Sequence, residues 1–266
     1  MKFTDSHCHL DFNEFSDRLP QLLNQCAQNN IHQIIVPSIS PENWSTVMKL
    51  ALAKNDLTQA LCKIYPCLGT HPWYLKQLDN NDLTALTKKI AQHRANIIAI
   101  GETGIDMPIA KKYNNLAQQQ TFFQRHLQLA QQYQLPVIIH DRQAHHQIVP
   151  LLKKIQLTSK GVIHAFSGSY QQAKAYLDLG FYLGVGGTIT YPRAKKTIAT
   201  IKRVPLDRLI LETDAPSMPL FGHQGQDNSP LKLIDVFDTL VQIREESAEQ
   251  IAQQIENNIN TLFAFR

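Results

Sequence analysis

At 266 residues, with 43% hydrophobic and 18% charged side chains, the chain has the composition of a globular protein with a full core, which argues against a disordered chain. No apolar run approaches the roughly 20 residues of a membrane span, so no membrane association is expected. The net charge of +4 and the pI near 8.8 are mildly basic, compatible with a polyanionic substrate and equally with an ordinary solvated surface.

In chain order, strand-like apolar runs fall at Phe3–His7, Gln33–Ser38, Ile64–Gly69, Ile97–Glu102, Val137–His140, Val162–Ala165, Phe181–Val185 and Leu209–Glu212. Helical spacing lies between them. Leu83, Leu86 and Ile90 keep a three-to-four period, as do Phe123, Leu127 and Ala130 before Leu135-Pro136 stops the pattern. Strands alternating with helices of this size predict a parallel sheet with right-handed crossovers. Eight of them in a chain of this length predict a single (β/α)8 (TIM) barrel domain over residues 1–266. Two more helical patterns follow the last strand, on Leu233, Val236, Leu240 and Ile243, and from Ser247 through Ile251, Ile255 and Ile259. Gln250 stands three residues after Ser247, the spacing of a capping box.

His7, His9, Glu102, His140, His164 and Asp214 each sit at or just past the end of one of these runs. A barrel spends about 30 residues per strand–helix unit, and the gaps between these residues are near three, one, one and two units. That puts all six on one rim, at the carboxyl ends of the first, fourth, fifth, sixth and eighth strands. Four imidazoles and two carboxylates exceed the needs of one tetrahedral ion, so two divalent cations are expected, and imidazoles suit zinc, manganese or iron better than magnesium.

Within His7-Cys8-His9, residues two apart on a strand share a face, so both rings can point into the mouth, with Asp5 at the same parity. Taken alone, a His-x-His is more often two surface histidines; Asp5 at the same parity and the four matching strand ends elsewhere reverse that reading. Glu102 ends a buried run and must be paired, either with a basic neighbour or as a bridge between two ions. Asp106 is placed to fix the loop or a ligating histidine. Arg142, two residues past His140, can grip a phosphate or pair with Asp141. Asp214 can hold an ion and take a proton from water, which with Glu102 makes the catalytic pair. Cys8, Cys26, Cys62 and Cys67 lack zinc-type spacing and are expected to be buried, reduced thiols. The first residues run straight into the His-x-His motif, so no signal peptide and a cytoplasmic location are expected.

Asp5-Ser6-His7-Cys8-His9-Leu10, Gly69-Thr70-His71-Pro72, Gly101-Glu102-Thr103-Gly104-Ile105-Asp106, Pro136-Val137-Ile138-Ile139-His140, His164-Ala165-Phe166-Ser167-Gly168 and Leu211-Glu212-Thr213-Asp214-Ala215-Pro216 together resemble the TatD family of metal-dependent deoxyribonucleases. Gly184–Pro192 and Asp214–Leu220 further resemble its YjjV-like branch. The resemblance covers nearly the whole chain. It implies a barrel, a divalent-metal site on His7, His9, Glu102, His140, His164 and Asp214, and hydrolysis of nucleic-acid phosphodiesters, in several members from the 3′ end. Ile105, Ala165 and Met107-Pro108 depart from the usual family residues; the last alters a mouth loop and so bears on substrate preference.

The expected activity is thus a 3′-exodeoxyribonuclease on single-stranded DNA, working as a monomer. One ion is assigned to His7, His9, Glu102 and Asp214, the other to Glu102, His140 and His164. His71 and Trp73, after the third strand, are candidates to position or stack a base, although Trp73 can equally pack against the rim. Arg193, in Arg193-Ala194-Lys195-Lys196, is a candidate phosphate contact or the solvated start of a helix. The alternative is an amidohydrolase-type enzyme acting on a small amide, lactone, phosphotriester or aminoacyl ester. Many such enzymes bridge their metals through a carboxylated lysine on a middle strand, where this chain has Glu102. A binding scaffold without catalysis is a further class, disfavoured by the complete donor set.

Overall fold

The computed structural model describes residues 1–55 and 62–265. Eight strands follow one another in space as they do in sequence: β1 (Phe3–Asp5), β2 (Ile31–Pro37), β3 (Lys63–Leu68), β4 (Ala99–Asp106), β5 (Val137–Arg142), β6 (Gly161–Ile163), β7 (Tyr182–Val185) and β8 (Leu209–Leu211). Each pairs in parallel with the next. Runs such as Ile34-Ile35-Val36 and Val137-Ile138-Ile139 are fully buried, as parallel strands covered on both faces must be. Helices occupy the outer layer, among them Leu19–Gln28, Asn80–His93, Leu116–Tyr133, His145–Ile155 and Lys195–Arg203. The barrel reading of the sequence holds.

The seam between the first and last strands closes just beyond their ends. Ser6 N–H donates to Leu211 O at 3.0 Å, Asp214 N–H to His7 O at 2.8 Å and His9 N–H to Ala215 O at 2.8 Å. The Asp5 carboxylate accepts from the Thr213 N–H at 3.0 Å and the Thr213 hydroxyl at 2.6 Å. Burial pushes the Asp5 carboxyl up to about 8, against the pull of these hydrogen bonds. Asp5 therefore clamps β1 to the segment after β8 and takes no place among the donors at the mouth.

The helix Ala248–Phe263 begins with the expected capping box of Ser247 and Gln250. It ties the same seam from the amino end: Glu256 accepts from Thr4 N–H at 2.8 Å and Thr4 Oγ1 at 2.9 Å. Asn258 donates to Leu206 O and Leu209 O at 2.8 and 2.7 Å. All four cysteines are free and buried, as expected.

One boundary differs in a way that matters. The apolar run predicts a fourth strand ending at Glu102, yet β4 continues to Asp106. Its register with β5 shifts between Ile100 and Thr103, after which Thr103 pairs with Ile139 and Gly104 with His140. The irregularity inserts Glu102 where the strand would otherwise run straight past the mouth.

No helix among the described residues is long and apolar enough to cross a membrane.

Candidate metal centre

Glu102 is held by three neighbouring strand ends. Its N–H donates to Ser38 O at 2.9 Å, and the Ser38 hydroxyl accepts from Gly69 N–H at 2.9 Å. Gly69 passes so close to this backbone that a Cβ there would lie 2.5 Å from the carbonyl carbon of Gly101. Only glycine fits.

The carboxylate then reaches two sets of imidazoles, one with each oxygen. Oε2 lies 3.2 Å from His7 Nε2 and 3.6 Å from His9 Nε2. Oε1 lies 3.2 Å from His140 Nδ1, 3.4 Å from His164 Nε2 and 3.3 Å from His71 Nε2. Asp214 Oδ1 stands 3.5 and 3.6 Å from His7 and His9 Nε2. The six residues singled out at strand ends converge around Glu102, and their donor atoms form three overlapping clusters, His7-His9-Asp214, His7-Glu102-His164 and His71-Glu102-His140.

The far side of each ring decides what its near side can do. His9 Nδ1 is 3.2 Å from Pro37 O, His140 Nε2 is 3.2 Å from Asp106 Oδ2, and His164 Nδ1 is 3.3 Å from Glu212 Oε1. Pro37 O and Asp106 are hydrogen-bond acceptors, so in the neutral rings of His9 and His140 the outer nitrogen carries the proton and the inner one offers a lone pair, while Glu212 faces His164 as an ion-pair partner. The donor set fits divalent-cation binding on this ground: inward lone pairs around a carboxylate with imidazoles beside each of its oxygens.

His71 behaves otherwise. Its Nδ1 accepts the Trp73 N–H at 3.1 Å, so in the neutral ring the proton lies on Nε2 and points at Glu102 Oε1. The side chain assigned from sequence to substrate is thus buried inside the cluster, as a hydrogen-bond donor. Thr70 N–H donates to Nε2 of the fully buried His126 at 3.0 Å, which anchors this loop to the helix Leu116–Tyr133. Sequence reading gave His126 no role, because one histidine on an apolar helix face carries no signal of its own.

Asp106 does hold a ligand candidate, and more. Besides His140 it accepts from Trp73 Nε1 at 2.6 Å and from Ile109 N–H at 2.9 Å, and it lies 3.7 Å from Arg142 Nη1. Arg142 does not pair with Asp141, whose carboxylate is taken by the Ala144 N–H and the Tyr176 hydroxyl. Glu212, which the sequence left without a role, accepts from Ala165 N–H and orients His164. Its signal was present: a carboxylate at the end of a buried strand, two residues before Asp214. Arg193 stands on an exposed turn, its guanidinium 5.0 Å over the Tyr191 ring.

Burial penalises every charge here, and the neighbours decide each outcome. Burial raises Glu102, but His71, His164 and His7 outweigh it and hold the carboxyl well below the usual range. Asp214 is likewise lowered, with His164 and His9 opposing burial. Burial lowers His9 and His164, yet Asp214 and Glu102 beside the first, and Glu102 and Glu212 beside the second, bring both up to about 10. His71 goes the other way, to about 4, because burial dominates. Without cations, protons on selected histidines balance the carboxylates, and those are the protons that cations displace.

The cluster floors a cavity of about 520 Å³, walled by Phe12, Trp73, Tyr74, Arg142 and Met218. A second cavity of about 590 Å³ opens at the opposite, amino-terminal face and contains none of these donors.

Comparison with known proteins gives a consistent result. Residues 4–264 match the family described as TatD related DNase. The chain is 43% identical over 262 residues to the uncharacterized metal-dependent hydrolase YjjV of Escherichia coli strain K12, covering 98% of each chain. It is 39% identical over 269 residues to an uncharacterized metal-dependent hydrolase of Haemophilus influenzae, covering 99% of this chain and 100% of that one. The crystal structure of the Escherichia coli YjjV protein superposes with a TM-score of 0.91 at 41% identity, covering 99% of this chain and 98% of the other.

Proposed function

Because the chain belongs to the TatD-related DNase family, we propose that this metal-dependent hydrolase cleaves phosphodiester bonds of nucleic acid, removing nucleotides from the 3′ end of single-stranded DNA. The observation that carries the reading is the division of Glu102, whose two oxygens face two separate sets of imidazoles. His7, His9, Asp214 and Glu102 would hold one divalent cation, and Glu102, His140 and His164 the other. Such ions supply Lewis acidity at the phosphoryl oxygens and lower the pKa of water. Imidazole-rich ligation favours zinc or manganese over magnesium.

The chain's own groups supply the rest. Asp214 is the more accessible carboxylate, its side chain 14% exposed against 3% for Glu102, and it stays anionic among the histidines. It is the proton acceptor for the attacking water. The His71 Nε2–H is held uncharged and directed at Glu102 Oε1, orienting that oxygen without adding to the local charge. Arg142, half exposed at the mouth, binds phosphate through a guanidinium oriented by Asp106. Trp73 is fixed by the same aspartate and leaves its face open to a base. The enzyme acts as a monomer in the cytoplasm. Against the amidohydrolase alternative, no lysine lines the cavity among the described residues.

The test is Glu102→Gln, assayed with manganese on a 3′-labelled single strand. The variant is expected to lose more than about 100-fold in rate and to bind less metal by elemental analysis. Unchanged hydrolysis removes Glu102 from the mechanism.

A further inference from the structure

Among the described residues, the large apolar side chains left exposed are Met1, Leu52, Trp73, Tyr74, Met218 and Phe221. Isolated exposed apolar groups are ordinary, but four of these six lie on the loops after β3 and β8, which both contribute to the wall of one cavity. Trp73, Tyr74 and Met218 line the cavity itself. Phe221, 54% exposed, stands outside it, three residues past Met218 and so within about 11 Å of it, Cα to Cα.

Phe221 is held in place. Its N–H donates to Thr190 Oγ1 at 2.9 Å, and Thr190 Oγ1 donates to Gly187 O at 2.7 Å. The Tyr191 hydroxyl donates to Pro219 O at 2.6 Å, which binds the turn after β7 to the loop after β8. The two rings meet edge to face, with centroids 5.8 Å apart and planes at 72°. Arg193 covers the Tyr191 ring at 5.0 Å. The result is a shelf of two aromatic rings and a cation on the two loops that also give Thr188, Ser217 and Met218 to the wall of the metal-donor cavity. A pre-organised aromatic face beside a guanidinium matches a base with its adjoining phosphate.

We propose that the Phe221–Tyr191–Arg193 shelf is a second nucleotide subsite, which stacks the base next to the one whose phosphodiester faces the donor cluster. The proposal rests on the phosphodiesterase reading above and adds a substrate class to it: single strands of at least two nucleotides, preferred over small phosphodiesters. It commits to a single-stranded nucleic acid as the occupant, since a cation flanks the rings and Phe221 stands three residues from Met218 in the wall of the cavity that holds the reacting groups.

The experiment uses two measurements on the full chain with manganese. Hydrolysis is followed on a single-stranded decanucleotide and on bis(p-nitrophenyl) phosphate. Binding is followed by fluorescence anisotropy with a cleavage-resistant phosphorothioate strand. Phe221→Ala is expected to weaken strand binding and raise KM for the decanucleotide about tenfold, to leave kcat and KM for the small ester unchanged, and to be rescued by Phe221→Trp. Arg193→Ala is expected to weaken the strand alone, more at low salt than at high.

Equal losses on both substrates, or no loss on the strand, overturn the shelf while leaving the phosphodiesterase reading intact. Strand binding that depends on Phe221, without hydrolysis of either substrate, overturns the reading and leaves the shelf as a binding site. Absence of both binding and hydrolysis overturns both. A dimer that Phe221→Ala dissolves, with strand affinity unchanged, shows the shelf to be a protein contact and overturns it too.

Discussion

Acidification provides a sharp check on the histidine that supports the His71 loop. His126 is fully buried, and burial holds it down at about 4, where an unfolded histidine titrates near 6.5. Its Nδ1 faces Phe122 O at 2.7 Å and its Nε2 accepts from Thr70 N–H, so the neutral ring is already satisfied and an added proton has no acceptor. Below pH 6.5 the unfolded chain takes up a proton that the folded chain refuses; stability is therefore lost as pH falls from there toward 4. The full shift corresponds to about 3 kcal/mol, of which about 2 kcal/mol has been lost by pH 5. His71 contributes in the same direction, while His9 and His164, raised in the fold, oppose it, so the wild-type curve alone is a sum. Comparison with His126→Gln isolates the residue, because glutamine can still accept from Thr70 but does not titrate. Urea unfolding in chelator, followed by fluorescence of Trp44 and Trp73, should show the wild type losing about 2 kcal/mol more than the variant between pH 7 and pH 5. Parallel curves would refute the assignment of a buried, neutral His126.

Three further outcomes follow from the same geometry. Gly69→Ala forces a Cβ to 2.5 Å from the Gly101 carbonyl carbon and should cost about 1–3 kcal/mol by urea denaturation, with loss of bound metal as Glu102 shifts. Asp106→Asn removes the anionic partner of His140 and of Trp73; metal affinity, read by competition with a chelator, should fall about 10- to 100-fold. Metal uptake by the chelator-stripped protein should strengthen as pH rises toward 10, since protons on His9 and His164 must leave first; calorimetry in buffers of different ionisation enthalpy should detect their release at neutral pH.

Much of the fold is written in the sequence as apolar runs, because strands covered on both faces tolerate nothing else, and a polar donor at the end of such a run stands out. That contrast makes His140 visible after Val137-Ile138-Ile139, and Asp214 after Leu209-Ile210-Leu211. It does not reveal where β4 ends, since the register shift at Ile100–Thr103 is an outcome of pairing with β5 and leaves no mark on hydrophobicity. The same contrast marks Glu212, directly after Leu211, but not its role. That residue acts on the far nitrogen of His164, and its part depends on how the ring is turned, which only packing decides. The placement of His71 was hidden for the same reason: the backbone N–H of Trp73 sets which nitrogen carries the proton, and no spacing rule encodes that.

The seam has a consequence for the order of events during synthesis. His7 and His9 leave the ribosome some 200 positions ahead of Leu211, Thr213 and Ala215, the residues that hold their strand in place. Until then the first two imidazoles have no fixed direction, and a nascent chain can offer at most the donors of its middle strands. Cation capture with full affinity must therefore await the last turn of the barrel, so the newborn polypeptide cannot acquire hydrolytic competence piecemeal.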